Sequence, residues 1–294
     1  MTSEGGVVPM EAILNVRDIG KYINSISGEQ TLRSGSFYRG ARPDEATPSD
    51  RHRLTQALGI KTIIDLRTPT EHLEARKKHA DHVVSSVPGV APGEPQQPLR
   101  MPDINYEDIN FNGDAYTNAL LAQLSWTQTA RLYALYAIGY RKEAISILAA
   151  NVMAPRGLSG LAIDSLVHCK AEVKAVFSVL ASESNFPVLV HCTQGKDRTG
   201  LVVLLVLLLC GVSEEAIERD YMQSQEGLAP EREAKVEEVK SIGLPEHFAD
   251  CEIDWVRKVT HYIQAEWGGV DLYLEDCGVA QEYRQEVRQA MLLS

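Results

Sequence analysis

His191-Cys192-Thr193-Gln194-Gly195-Lys196-Asp197-Arg198-Thr199-Gly200 is the stretch that decides how this chain reads. Before it, Phe186-Pro187-Val188-Leu189-Val190 is a short β-branched run bounded by a proline, which predicts a buried strand. After it, Leu201 to Cys210 is almost unbroken Leu and Val and is closed by Gly211, which predicts a buried helix with a glycine stop. The ten residues are therefore a strand-to-helix turn. Within it Cys192 and Arg198 enclose five residues, and Gly195 sits in the middle, where the backbone must bend tightly.

A loop that closes on a helix N-terminus can aim successive backbone N–H groups at one point and hold a tetrahedral anion. Arg198 adds a planar two-pronged donor that matches two phosphate oxygens. A thiol at the floor of the loop faces the positive helix end, Lys196 and Arg198, and each favours the nucleophilic thiolate. The chemistry implied is hydrolysis of a phosphomonoester. Cys192 attacks phosphorus in line while an acid protonates the departing oxygen; the loop amides and Arg198 hold the equatorial oxygens. Water then releases phosphate from the phosphocysteine. Thr193, Gln194, Gly195 and Lys196 complete the cradle, and the Thr199 hydroxyl can donate to the sulfur and ease its departure. Neither metal nor cofactor is called for. Cys169 is an internal contrast: it too follows a histidine, but Ala175 stands where an arginine would close the loop.

The loop resembles the phosphate loop of the cysteine-dependent tyrosine and dual-specificity phosphatases. Lys196, two before the arginine, is similar to phosphoinositide 3-phosphatases, and Asp197-Arg198-Thr199 to myotubularin- and Sac-type lipid phosphatases. Both features occur together in an atypical family of bacterial and fungal tyrosine phosphatases that also act on phosphoinositides. Asn15-Val16-Arg17-Asp18-Ile19-Gly20, Phe37-Tyr38-Arg39, Thr62-Ile63-Ile64-Asp65-Leu66-Arg67, Asp220-Tyr221 and the run from Gly269 to Leu293 resemble that family as well; about Gly89 to Asp164 does not. The resemblance implies an α/β fold with a tyrosine-phosphatase-like, mostly parallel central sheet flanked by helices. It implies one phosphatase domain over 1–294, with 89–164 a loop-plus-helical insertion. The implied activity is that of a protein-tyrosine phosphatase, extending to phosphoserine and phosphothreonine, with a phosphoinositide or inositol phosphate as the alternative substrate.

Composition sets the bounds. The chain has 294 residues, 44% apolar and 23% charged, with a formal charge of −11. That charge argues against nucleic acid held on a broad basic surface, but not against one local phosphate pocket. The N-terminus lacks the basic and apolar regions of a secretory signal, and no apolar run approaches the roughly 18 residues of a membrane span. The expectation is a cytoplasmic protein with at most transient membrane-surface contact. Five cysteines without paired spacing read as reduced thiols.

In chain order, Ala12–Asn15 and Leu32–Arg39 read as short strands. Thr47-Pro48-Ser49-Asp50 starts a helix running to about Leu58, and Thr68-Pro69-Thr70-Glu71 repeats the same start after a strand at Thr62–Leu66. Arg76-Lys77-Lys78-His79 reads as a solvated helix end, with anionic lipid as the rarer use of such a cluster. Five prolines between Pro88 and Pro102 mark a loop, Tyr116–Met153 two or three helices, and Ala162–Ser182 an amphipathic helix. Helices follow from Ser213 to about Ser224, and at Glu231–Lys240, Asp254–Glu266 and Gln281–Leu292.

Three side chains carry alternatives. Lys196 is either a solvent-facing charge or the holder of a second anionic group on the substrate. His191 fixes the loop or supports the thiolate. Asp197, which the resemblance favours as general acid, is also an ideal N-cap for the next helix. Its rival is Asp164, 28 positions before Cys192. An idle module that only binds phosphorylated ligands is the reading from another class, and the thiol argues against it.

Overall fold

A computed structural model describes residues 4–85 and 99–293. Its sheet is built from β1 (Arg17–Asp18), β2 (Phe37–Gly40), β3 (Thr62–Asp65), β4 (Asn105–Asp108) and β5 (Val188–His191) in the order β1-β2-β5-β3-β4. All neighbours are parallel except β1 and β2. Parallel strands are covered on both faces, so they read as unbroken apolar runs, and β5 is wholly buried. The class and the mostly parallel sheet agree with the sequence reading.

Between the first strands run α1 (Ile19–Ser27), α2 (Pro48–His52) and α3 (Pro69–Ser85). The expected helix start at Thr47 is present: its hydroxyl accepts from the Asp50 amide while Asp50 reaches back. The helix then continues as a wide turn over Arg53–Ala57 and stops at Gly59, whose φ is 62°. Two expected strands are shorter or absent: residues 12–15 form a loop, and in the second run the strand is 37–40, with Leu32 making an isolated bridge to Leu292. The basic cluster lies inside α3 rather than at its end; Arg76, Lys77 and Lys78 are exposed, and the His79 side chain falls outside the described residues, as does most of the proline-rich loop.

The middle of the chain is not a simple loop-plus-helix insertion. It supplies β4, the edge of the sheet beside β3, followed by α4 (Asp114–Leu121), α5 (Trp126–Ala137), α6 (Arg141–Leu148) and α7 (Ala154–His168). Phe111, Tyr116, Leu120 and Ile147 enter the main core. The amphipathic run expected over 162–182 is split at Cys169 into α7 and α8 (Lys170–Leu180). By length and composition alone the helical run 141–168 is comparable to a membrane span, which by itself is weak evidence for one. Gly157 interrupts it at φ 65° and ψ 178°, and it carries the Arg156–Asp164 ion pair.

At the centre lies α9 (Asp197–Leu209), apolar on every side and almost entirely buried, as a helix enclosed on all faces must be. The remaining layer is α10 (Glu214–Gly227), α11 (Arg232–Ser241), α12 (Trp255–Trp267), α13 (Val270–Asp276) and α14 (Gln281–Met291). Tyr221 of α10 stacks on Trp255 of α12 with ring centroids 4.5 Å apart, and Val259 and Ile263 continue that core stripe.

Candidate active site

β5 ends at His191, paired on one side with Gly40 of β2 and on the other with Asp65 of β3. The segments leaving all three strands at their carboxyl ends therefore converge, the place where open parallel sheets bind ligands. Cys192 follows directly and is buried at the root of the 193–196 loop, with α9 rising from its far side. Gly195 has φ 67°, and a Cβ there would overlap the Gly40 carbonyl, so turn geometry and close approach both demand glycine.

The loop carbonyls face backward. Asn15 Nδ2 donates to the carbonyls of Gln194 and Gly195 at 3.1 and 3.2 Å, and Arg39 donates to those of Gly195 and Lys196 at 2.6 and 3.3 Å. Among the described residues, the backbone N–H groups of 193–198 donate to no atom of the chain. With the carbonyls turned back, these amides and the N-terminus of α9 are left available to hold an anion.

Behind the loop sits an ionic cluster. Asp220 on α10 takes Arg17 Nε on one oxygen at 2.7 Å and Arg39 Nη1 on the other at 2.6 Å, and all three side chains are about 1% exposed. Burial opposes the charge of Asp220, but the two guanidinium groups outweigh it and hold the carboxyl below its usual range. Arg17 also grips Asn15 Oδ1 at 2.5 Å. Asn15 itself has φ 59°, a left-handed conformation that asparagine tolerates and most residues do not. The motifs around Asn15, Arg39 and Asp220 are thus the frame of the loop. Their spacing along the chain gave no sign of that role, because the network is made of contacts some 150 to 200 residues apart in sequence.

On the open side is a cleft of about 990 Å³ lined by Cys192, Thr193, Gln194, Asp197 and Arg198 of the loop. Arg198 donates Nη1 and Nη2 to the two oxygens of Glu71 at 2.7 and 2.6 Å, and Nη1 also reaches the Leu66 carbonyl. Thr193 Oγ1 donates to the same carboxylate. Burial pushes the Glu71 carboxyl up, but Arg198 and Thr193 overcome this and bring it down to about 2. Glu71 also caps α3 by accepting from the Thr68 amide at 2.9 Å, the only role its sequence context suggested. Arg67 closes the near wall between Asp44 and Asp65.

Several expected site residues stand elsewhere. Lys196 is 1% exposed and points away from the cleft, donating Nζ to the carbonyls of Phe248 at 3.1 Å and Asp250 at 2.9 Å. It anchors the loop to the 246–250 segment and is not placed for a second anionic group. Asp197 is the first residue of α9 and makes no cap bond, so the capping alternative is not realised; its carboxyl lines the cleft. Asp164 lies within α7, bound to Arg156, and is absent from the cleft wall, which removes the geometric case for it as acid. Thr199 Oγ1 is buried and makes no hydrogen bond to the sulfur in this geometry. His191 is fully buried, with Nδ1 2.9 Å from the Cys192 carbonyl; burial pushes its pKa down against the pull of Asp65.

Comparisons with known proteins bear on the family. A match to the tyrosine phosphatase family covers residues 8–293. A provisionally named tyrosine-protein phosphatase of Cupriavidus necator is 24% identical, covering 90% of this chain and 82% of its own. A tyrosine-protein phosphatase of Nostoc commune is 24% identical over 87% and 74% of the two chains. A triple specificity protein phosphatase of Mycobacterium tuberculosis is 28% identical over 36% of this chain and 44% of its own. With the family match running from Val8 to Leu293 and the loop seated where three parallel strands end, this chain belongs to the tyrosine phosphatase family and is a protein-tyrosine phosphatase.

Proposed function

We propose that the protein hydrolyses phosphotyrosine in proteins through a phosphocysteine on Cys192. The observation that carries this reading is the set of unpaired loop amides, 193–198, gathered beside a buried thiol at the foot of the cleft. Cys192 Sγ attacks phosphorus as the tyrosyl oxygen leaves, and the P–O bond to the leaving group breaks as the S–P bond forms. Asp197, at the cleft wall and free of cap bonds, gives that oxygen its proton. Arg198, its plane set by Glu71, and the amides hold the three non-bridging oxygens. Water, with Asp197 now acting as base, then breaks the S–P bond and frees phosphate.

Two features favour a phosphoprotein over a polyanionic inositol phosphate. Lys196 is committed to carbonyls behind the loop, and the cleft wall carries six cationic and six acidic side chains, a balance unsuited to several clustered phosphates. The test is phosphate release from phosphotyrosine peptides and a phosphoinositide panel, with Cys192→Ser as control. Preference for the peptides supports the reading; preference for the lipids overturns the substrate, and release surviving in Cys192→Ser overturns the mechanism.

A further inference from the structure

Twelve large apolar side chains are exposed among the described residues, and six of them fall within one helical hairpin: Trp126, Tyr133, Tyr136, Ile138, Tyr140 and Ile145. Clustering of this kind on a water-facing surface marks an interaction site. On α5, Trp126, Ala130, Tyr133 and Ala137 recur at helical spacing along the exposed face, opposite the buried Leu132. The turn into α6 presents Ile138, 68% exposed, and Tyr140, 55% exposed, on either side of Gly139.

The charge around this patch differs from the rest of the molecule. Residues 115–142 contain no Asp or Glu, in a chain with 40 of them, yet they hold Arg131, Arg141 and Lys142. Arg141 lies over the Tyr136 ring, 5.6 Å from its centroid. Aromatic rings with an apolar body and a polar edge, an exposed isoleucine at a turn and flanking cations are the chemistry of an element lying in the headgroup region of an anionic bilayer. A second copy of the chain suits the patch less well, since a two-fold contact would set its cations against their own equivalents.

We infer that the α5–α6 hairpin docks the protein on an anionic lipid surface, with Ile138 and Tyr140 entering the headgroup layer and Arg141 and Lys142 contacting lipid phosphates. The whole chain carries −11, so the molecule outside this cationic patch is repelled by such a surface and the docking is oriented. The hairpin is rooted beside the cleft: Ala149, just past α6, packs with Val236 and Val239 of α11, and α11 contributes Lys235 and Glu238 to the cleft wall.

Flotation of the full-length protein with phosphatidylcholine vesicles, with and without phosphatidylglycerol, tests this. Binding is expected only to the phosphatidylglycerol vesicles, weakened by salt, with a blue shift of Trp fluorescence that disappears in Trp126→Tyr. Ile138→Ser with Tyr140→Ser should weaken binding about tenfold or more, given the apolar area withdrawn from the interface. Arg141→Glu with Lys142→Glu should do the same while unfolding temperature and hydrolysis of a small soluble aryl phosphate stay unchanged. Absence of vesicle binding, binding by either variant as tight as the parent's, or a concentration-dependent dimer that the Ile138/Tyr140 substitutions abolish would each overturn the proposal.

Discussion

The two sides of the 191–200 loop are built from the same materials to opposite ends. At the back, Arg17, Arg39, Asp220, Asn15 and Lys196 are buried; Asn15 and Arg39 hold loop carbonyls, Asp220 pairs both arginines, and Lys196 ties the loop to the carbonyls of Phe248 and Asp250. At the front, Arg198 and Asp197 face a cleft, and among the described residues Glu71 is the carboxylate that grips the guanidinium. Lys196 and Arg198 are two residues apart yet serve opposite sides. A cation in an anion-binding motif is therefore not automatically a ligand for the anion; helix geometry at the start of α9 sends alternate side chains to different faces.

The largest expected difference is between chemistry and stability. Cys192→Ser should cost on the order of 10⁴-fold or more in kcat with little change in unfolding temperature. Asp220→Ala should instead lower stability by about 3–5 kcal/mol, because two buried guanidinium groups lose their shared partner. Denaturant melts and kinetics on both variants check the pair. Should Asp220→Ala fold as stably as the parent, the back of the loop is not the frame described here.

Next in size is Asp197→Asn. Loss of the acid should slow alkyl and peptide phosphates by roughly a hundredfold while sparing activated aryl phosphates. A loss independent of the leaving group would remove Asp197 from that role.

Glu71→Gln should weaken the hold on Arg198 by about 1.5–3 kcal/mol, read as a drop in kcat/KM for a phosphotyrosine peptide. It also carries a pH signature. The Glu71 carboxyl is lowered from 4.5 to about 2 in the folded protein, so its stabilisation is complete above about 4.5 and disappears as pH falls towards 2. Over that window the parent should lose stability more steeply than the Gln variant. Parallel curves would mean that the Glu71–Arg198 pair contributes nothing to folding.

The smallest effect is expected for Lys196→Met, about 1–2 kcal/mol of stability from its two lost carbonyl contacts. Any fall in turnover should be equal for singly and multiply phosphorylated substrates. A selective loss on the latter would return Lys196 to the front of the loop.

What could be read from the sequence follows the range of the interactions involved. Local signals were dependable: the strand and helix around Cys192, the capping residues at Thr47 and Thr68, and the helices at 231–240, 254–266 and 281–292 all lie close to their expected positions. Glu71 shows the limit. Its place three residues after Thr68 announces a helix start, but its grip on Arg198 spans 127 positions and leaves no local trace. The Asp220 cluster is hidden for the same reason, and Lys196 was misplaced because charge complementarity says nothing of direction. In the middle of the chain, the Asn105–Asp108 strand is polar and partly exposed, as an edge strand is, so it lacked the apolar run that betrayed β3 and β5.

The account stands most directly on the fate of the phosphoryl group. Rapid acid quench of the enzyme with a phosphotyrosine peptide, followed by peptide mass analysis, should find one phosphoryl group on Cys192, accumulating further when Asp197 is replaced by Asn. Turnover that proceeds with no phosphoryl group ever found on Cys192, and that persists in Cys192→Ser, would contradict it.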